Sequence, residues 1–285
     1  MQQTASHNRQ KKLAVINDFC GFGRCSIAVA LPIISAMHIQ CCPLPTAIFS
    51  DHTGFESFFE DFTEHMPAYA GEWEKLGLHF DGIATGFLGS ARQIDIVKDF
   101  LARFKGEHTK VLVDPVMGDY GKLYPTYTPE LAGRMHELLR FADLLTPNLT
   151  EACILTNTPY REDFTEQELT LLCESLSEAG PQEIVISGIH LGDDLGNFVY
   201  SQGETAMLCA HRVGGYRSGT GDVFGAILAA DLVNGEPLEA SVRKAADFIT
   251  KTILYTQKLG VPDTDGICFE EYVWELGQTT KEVAL

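Results

Sequence analysis

Positive charge is scarce in this sequence: 21 Lys and Arg stand against 39 Asp and Glu, a formal net charge of −18 with histidine neutral. Nucleic acids and anionic membrane surfaces are gripped by excess Lys and Arg, so neither is expected as a partner. Long hydrophobic runs are missing too. The longest, Ile27 to Met37, is broken by Pro32 and is too short to span a bilayer. The first dozen residues are polar, so no signal peptide is expected in them.

Paired-cysteine spacing is also absent. Cys20, Cys25, Cys41, Cys42, Cys153, Cys173, Cys209 and Cys268 are scattered, with no Cys-x-x-Cys pair and no His-x-x-x-His partner. This argues against a zinc set and a disulfide framework; most of them read as small buried hydrophobes in a reducing cytoplasm. No Gly-x-x-x-x-Gly-Lys-Ser/Thr occurs, which excludes a P-loop. Gly21-Phe22-Gly23-Arg24-Cys25-Ser26 nearly fits the dinucleotide fingerprint but lacks its third glycine, and no acidic residue closes a second strand, so a nicotinamide site is not expected. Without Pro/Ser-rich linkers or internal repeats, residues 13–285 read as a single domain behind a flexible N-terminal tail, 1–12.

What the sequence does contain is an alternation of strand-like and helix-like segments. Strands are expected at Leu13–Asp18, Pro43–Phe49, Asp81–Thr85, Lys110–Val113, Asp143–Leu145 and Glu183–Ser187. Helices are expected at Ser26–Met37, Phe55–Leu76 (from the spacing of Phe55, Phe58, Phe59 and Phe62), Ala91–Phe104, Pro129–Phe141, Glu166–Ser177, Val223–Leu232 and Leu238–Leu259. Asn197–Ser201 and Thr205–Arg212, around Gln202-Gly203-Glu204, read as an antiparallel edge hairpin. The pattern predicts an α/β fold, a mostly parallel central sheet with helices on both faces. Such sheets gather ligands at the carboxyl ends of their strands. Asn17-Asp18, Ser50 to Thr53, Thr85-Gly86, Asp114, Thr146 to Asn148 and Ser187-Gly188 fall there.

Ser218-Gly219-Thr220-Gly221-Asp222 runs directly into a small-residue apolar helix. Glycines let successive N–H groups turn into one concavity, and the helix start adds the positive end of its dipole, so this is a cradle for phosphate. Asp222 at its rim cannot help an anion bind, which suggests that it takes a proton from a substrate hydroxyl. Alone, it would read as an ordinary first-turn aspartate. Asp114-Pro115-Val116-Met117-Gly118-Asp119 and Thr146-Pro147-Asn148-Leu149-Thr150-Glu151 add three carboxylates at adjacent strand ends, oxygen ligands suited to Mg²⁺. Gly121 to Thr128, with Lys122, Tyr124 and Tyr127, reads equally as a lid or as a plain surface connection.

In their order and spacing these three motifs resemble the ribokinase-like superfamily, and within it the pyridoxal (pyridoxine, pyridoxamine) kinases. Phe49-Ser50-Asp51-His52-Thr53-Gly54 and Leu123-Tyr124-Pro125 are similar to further segments of that family, and the likeness covers about Leu13 to Gly260. The resemblance implies a three-layer α/β/α sandwich that moves the γ-phosphoryl group of ATP to the 5′-hydroxymethyl of a B6 vitamer. Asp222 would be the base, and Gly219, Thr220 and Gly221 the anion hole. Asp114, Asp119 and Glu151 would hold Mg²⁺, directly or through water, with Thr146 lining a site for K⁺ or Na⁺. Asp119, Asn148, Ser187, Val213 and Thr220 would face ATP; Asp18, Phe49, Thr53, Phe87 and Asp222 would face the vitamer. A homodimer is also implied.

Departures cluster in the vitamin pocket. Asp18 (or Asn17, with a one-residue gap) stands where pyridoxal kinases carry Ser, Phe87 where Tyr is frequent, and the Gly21–Arg24 loop differs. A carboxylate at Asp18 would favour a cationic group on the vitamer. Two rivals remain: a hydroxymethylpyrimidine or sugar kinase of the same fold, and a non-catalytic vitamer- or nucleotide-binding regulator. The second would be expected to lose the base or a metal carboxylate.

Overall fold

The computed structural model describes residues 6–52 and 54–278. Alternating apolar side chains along each strand point to opposite faces of one sheet, and both faces are buried. Ala14 and Ile16 of β1 (Lys12–Cys20) enter one buried cluster, while Leu13 and Val15 enter the other. Val111 and Val113 against Leu112 of β5 (Lys110–Val113), and Ile184 and Ile186 against Val185 of β9 (Glu183–Leu191), divide in the same way.

The remaining strands are β2 (Gln40–Phe49), β3 (Phe59–Asp61), β4 (Gly82–Thr85), β6 (Gly118–Asp119), β7 (Lys122–Leu123), β8 (Leu144–Leu145), β10 (Asp194–Ser201) and β11 (Glu204–His211). Among the described residues the main sheet has nine strands in the order β11-β10-β9-β8-β5-β4-β1-β2-β3, and β6 and β7 form a separate hairpin. The run from β9 to β2 is parallel; β10, β11 and β3 add antiparallel edges. One face carries α1 (Ser26–Ala36), α7 (Thr220–Asn234) and α8 (Leu238–Leu259). The other carries α2 (Met66–Lys75), α3 (Ala91–Phe104), α4 (Pro129–Arg134), α5 (Leu149–Leu155) and α6 (Glu166–Ser177). This is the expected α/β architecture, edge hairpin included.

The helix expected over Phe55–Leu76 is wrong in its first half. Phe59 lies in β3 opposite Phe49, with ring centroids 4.9 Å apart, and the helix begins only at Met66 with Pro67 in its first turn. Phe58 and Phe59 are exposed, so the helical spacing marks no buried face, and aromatics suit strands as well. Helix Pro129–Phe141 likewise stops at Arg134 and continues as a 3₁₀ turn, Met135–Phe141. Before β1 the chain is already engaged: Asn8 bonds to Gly77 and His79, and Lys11 to Val233 and Asn234.

Candidate active site

A cavity of about 680 Å³ opens at the carboxyl ends of the parallel strands. Asp18, Phe49, Phe87, Asp114, Asp119 and Thr146 line it from the strand ends and the loops after them; Asn148, Glu151, Ser187 and Val213 from neighbouring segments; Gly219, Thr220, Gly221 and Asp222 from the start of α7. Thr53 lies outside the described residues.

The start of α7 carries no side-chain cap. Its N-cap, Gly219, takes a left-handed φ of 77°, and a Cβ there would lie 1.9 Å from the Arg24 carbonyl oxygen. Only glycine fits such a position. Among the described residues the first-turn N–H groups have no side-chain acceptor, the arrangement that binds an anion.

Asp222 stands in that same turn and is aimed by two donors. Asn17 Nδ2 lies 3.4 Å from its Oδ1, and the Ser26 backbone N–H also donates to its carboxylate. Asn17 is itself fixed, its Oδ1 accepting from the N–H groups of Phe87 (2.8 Å) and Asp18 (2.9 Å). Ser26 reaches Asp222 through an unusual loop in which Gly23, Arg24 and Ser26 all have positive φ. Burial, reinforced by the Asp18 charge, pushes the Asp222 carboxyl up to about 6 against the pull of these two hydrogen bonds. Asn17, already placed on the rim by the polar end of β1, proves to hold Asp222, and Ser26 is a functional candidate that motif spacing missed.

The acidic groups divide into two kinds. Glu151 is buried, and its oxygens accept from the N–H groups of Met117 and Asn148, both at 2.9 Å. Asn148 Oδ1 accepts from Glu151 N, closing a capping box on α5, and its Nδ2 donates to Gly118 O at 2.8 Å. Thr150 Oγ1 accepts from Gly121 N. The first turn of α5 thus clasps the loop that carries Asp119. Tyr120 and Gly121, both at positive φ, turn that loop into the β6–β7 hairpin. Tyr127, beyond it, is buried, with its hydroxyl accepting from Leu88 N and its ring edge-on to Phe87. Of Gly121–Thr128, Tyr124, Pro125 and Thr126 line the pocket, with Tyr127 packed behind them.

Asp114, by contrast, accepts no hydrogen bond among the described residues, and burial together with the nearby Glu151 and Asp222 charges holds its carboxyl well above the usual range. Burial also raises Asp119. Thr146 Oγ1 and Thr85 Oγ1, at the ends of the two strands that flank β5, are buried without a partner among the described residues. Uncompensated carboxylate and orphaned hydroxyl oxygens fit a hard cation. Among the described residues no three His, Cys, Asp or Glu side chains converge as a ready ligand set, so a cation here would keep much of its water.

On the β2 side of the cavity Phe49 and Phe87 are buried, edge to face, with centroids 5.9 Å apart. The β1–β2 register shifts between Asn17 and Phe19, and the intervening Asp18 lines the pocket. Burial raises its carboxyl, while the Ser26 hydroxyl and Cys20 thiol donate to it. At the opposite end Ser187 sits on the β9 side of a single parallel bridge to Asn148, and Val213 leads into the exposed Gly214–Tyr216 loop.

The phosphomethylpyrimidine kinase family model matches residues 34–265. A hydroxymethylpyrimidine/phosphomethylpyrimidine kinase of Haemophilus influenzae is 33% identical over 181 residues, 61% of this chain and 65% of that protein. A pyridoxal kinase of Arabidopsis thaliana is 29% identical over 205 residues, 65% of this chain and 62% of that protein. The chain thus spans just under two thirds of the length of these two curated relatives. A candidate phosphomethylpyrimidine kinase from Bacteroides thetaiotaomicron superimposes at a TM-score of 0.94 with 35% identity, covering 98% of both chains. A second crystal form of it, with pyridoxal, gives 0.91 over 96% of this chain and 98% of that one. A match over most of its length places the chain in the phosphomethylpyrimidine kinase family.

Proposed function

We propose that the protein transfers the γ-phosphoryl group of ATP to the 5′-hydroxymethyl group of a B6 vitamer. The observation that carries this is the aim of Asp222: held by Asn17 and Ser26, it faces the same cavity as the uncapped start of α7 and the Phe49–Phe87 wall. Phosphoryl transfer needs positioning and charge stabilisation more than covalent chemistry. The vitamer ring packs at Phe49 and Phe87, with Asp18 beside it. Asp222 orients the hydroxymethyl group and accepts its proton as the new O–P bond forms and the bond from the γ-phosphorus to the ADP oxygen breaks. A carboxyl raised to about 6 is a better base than an ordinary aspartate and is still ionised at neutral pH. The N–H groups of Gly219, Thr220 and Gly221 receive the charge on the transferring group. Asp119, Asn148, Ser187 and Val213 border the nucleotide.

Asp114 and Asp119, with Glu151 acting through water, would hold Mg²⁺, and Thr146 would line a K⁺ or Na⁺ site. Bound Mg²⁺ would neutralise phosphate charge. A cytoplasmic homodimer is part of the same reading.

The family match favours a second acceptor. Hydroxymethylpyrimidine, like the vitamers, presents a hydroxymethyl group on a flat heteroaromatic ring, and the Haemophilus influenzae relative carries that name. Incubation with Mg-ATP and, separately, pyridoxal, pyridoxamine, pyridoxine and hydroxymethylpyrimidine, following ADP release and product mass, tests both readings. We expect turnover with at least one B6 vitamer at higher kcat/KM than with hydroxymethylpyrimidine. The reverse order overturns the vitamer assignment, and no ADP release with any of them overturns the kinase reading.

A further inference from the structure

Three basic side chains from three different pocket loops converge on one C-terminal segment. Arg24, from the β1–α1 loop, reaches Asp265 O at 3.0 Å and Glu270 at 2.6 Å. His52, from the β2–β3 loop, bonds through Nε2 to Thr264 O at 2.6 Å, while its Nδ1 accepts from Gly54 N. Arg217, two residues before the N-cap of α7, is only 5% exposed. Its Nη1 contacts the carbonyl oxygens of Val261 (3.2 Å), Pro262 (3.2 Å) and Gly266 (3.3 Å), and its Nη2 pairs with Asp263 at 2.9 Å. The segment is itself anchored, by buried Ile267 and Phe269 and by Cys268 N donating to Thr256 Oγ1 on α8.

We propose that residues 261–270 act as a strap that positions the start of α7 against the acceptor loops, with Arg217 as the positioning residue. The inference rests on the kinase reading above but concerns residues that reading does not use. Arg217 has a hand on each side: its side chain grips the strap, and its own carbonyl oxygen accepts from Thr220 Oγ1 in the first turn of α7. Contact on the third side is equally close. A Cβ on Gly266 would lie 2.7 Å from Gly23 O and 3.2 Å from Ser218 O, so strap, β1–α1 loop and α7 entry touch main chain to main chain. A buried guanidinium needs its donors answered, and here one short segment answers both terminal nitrogens, while Nε is buried without a partner among the described residues. The fork geometry is specific to arginine: an ammonium on a single point cannot meet three carbonyls and a carboxylate together. His52 ties the acceptor side to the same strap, so a shift in either loop is felt by the other.

The test compares wild type, Arg217→Lys, His52→Ala and the double variant by steady-state kinetics and by amide hydrogen exchange. For Arg217→Lys we expect kcat to fall about tenfold with acceptor KM within about threefold, and exchange to quicken at residues 223–226, the first bonded amides of α7, but not along α8. His52→Ala should act in the same direction at about threefold, and the double variant should fall short of the product of the two, because both act through one segment. Unchanged kcat and exchange in Arg217→Lys, exchange that rises evenly over the chain, or two effects that simply multiply would each overturn the proposal. Should Arg217→Lys fail to fold, Asp263→Asn removes only the exposed partner, and the same local change in exchange is then required. Absence of ADP release from the wild type would instead strike the kinase reading and leave the exchange comparison standing.

Discussion

Two helix starts face the same cavity, and they are built in opposite ways. At α5 every available device closes the end: Asn148 caps Glu151 N, Glu151 caps Asn148 N and reaches on to Met117 N, and Thr150 takes Gly121 N. At α7 the N-cap is a glycine, with no side chain to cap anything. A closed start spends its dipole on its own protein and becomes a brace, here for the loop carrying Asp119. An open start keeps its donors for a ligand. The carboxylates differ in what holds them: Glu151, which burial raises to about 8, is tied by backbone N–H groups to the helix and loop it braces, whereas Asp222 is aimed at the cavity by Asn17 Nδ2 and the Ser26 N–H.

The largest effect should come from disarming the open end. Asp222→Asn keeps the size of the side chain and loses the base, so kcat should fall about 10³-fold with a small change in KM. Wild-type kcat/KM should drop as pH falls through about 6, where Asp222 takes up its proton, and the variant should lack that limb. Stability runs the other way. Because the folded pKa lies above the unfolded one, the native state holds the extra proton between about 4 and 6, and stability falls as pH rises through that window. Asp222→Asn should therefore be more stable than wild type at pH 7, by about 1–2 kcal/mol after discounting for solvent screening, with the advantage gone below about pH 4. Thermal melts at both pH values check the sign; a variant less stable at pH 7 would show that Asp222 is a structural carboxylate like Glu151.

Next comes an attempt to close the open end. Gly219→Ala places a Cβ 1.9 Å from the Arg24 carbonyl oxygen at a φ of 77°. The turn must move, and we expect a loss of about 2–3 kcal/mol of stability together with about a 10²-fold loss of kcat. Denaturant unfolding and steady-state rates on the same preparation separate the two. Wild-type kcat in this variant would mean that the amides of α7 do not need their observed placement.

This contrast also explains what the sequence could and could not reveal. Gly219-Thr220-Gly221-Asp222 is legible because its conformation is dictated locally, by glycine and a helix start. Asp114, Thr146 and Ser187 are legible because strand ends in a parallel sheet share one rim. The hydrogen bonds of Glu151 were not: a capping box and a metal carboxylate demand the same residue type after Asn148, and only the positions of Met117 N and Asn148 N show where its oxygens go. Nor was the pairing of Asn17 and Ser26 with Asp222. It depends on left-handed backbone at Arg24 and Ser26, residues that carry no glycine signal. The aromatics Phe55, Phe58, Phe59 and Phe62 misled because the first three are exposed, and helical spacing without burial carries no information about packing.

A smaller effect is expected from loosening the closed end. Glu151→Gln retains one acceptor oxygen where two N–H groups now bond to two, so one buried donor is orphaned. We expect about 1 kcal/mol lower stability and a KM for Mg-ATP raised about threefold to tenfold, with kcat less affected than in Asp222→Asn. A fall in kcat as deep as that of Asp222→Asn would make Glu151 part of the chemistry and remove the distinction between the two ends.

The smallest change concerns selection among acceptors. Asp18 is buried between the Ser26 hydroxyl and the Cys20 thiol, at the pocket wall shared with Phe49 and Phe87. Its neighbours supply hydrogen bonds but no opposite charge, so a cationic group on the ligand would relieve a carboxylate that burial disfavours. Pyridoxamine carries an aminomethyl cation where pyridoxal carries a neutral aldehyde. Asp18→Ser keeps a hydroxyl acceptor and removes the charge, and should lower the ratio of kcat/KM for pyridoxamine over pyridoxal about threefold to tenfold. Asp222 is raised partly by the Asp18 charge, so the same variant should also shift the acid limb of the profile downward. A changed limb with an unchanged ratio would leave Asp18 tuning the base without reading the vitamer; a changed ratio makes it the residue through which the acceptor end distinguishes one ring substituent from another.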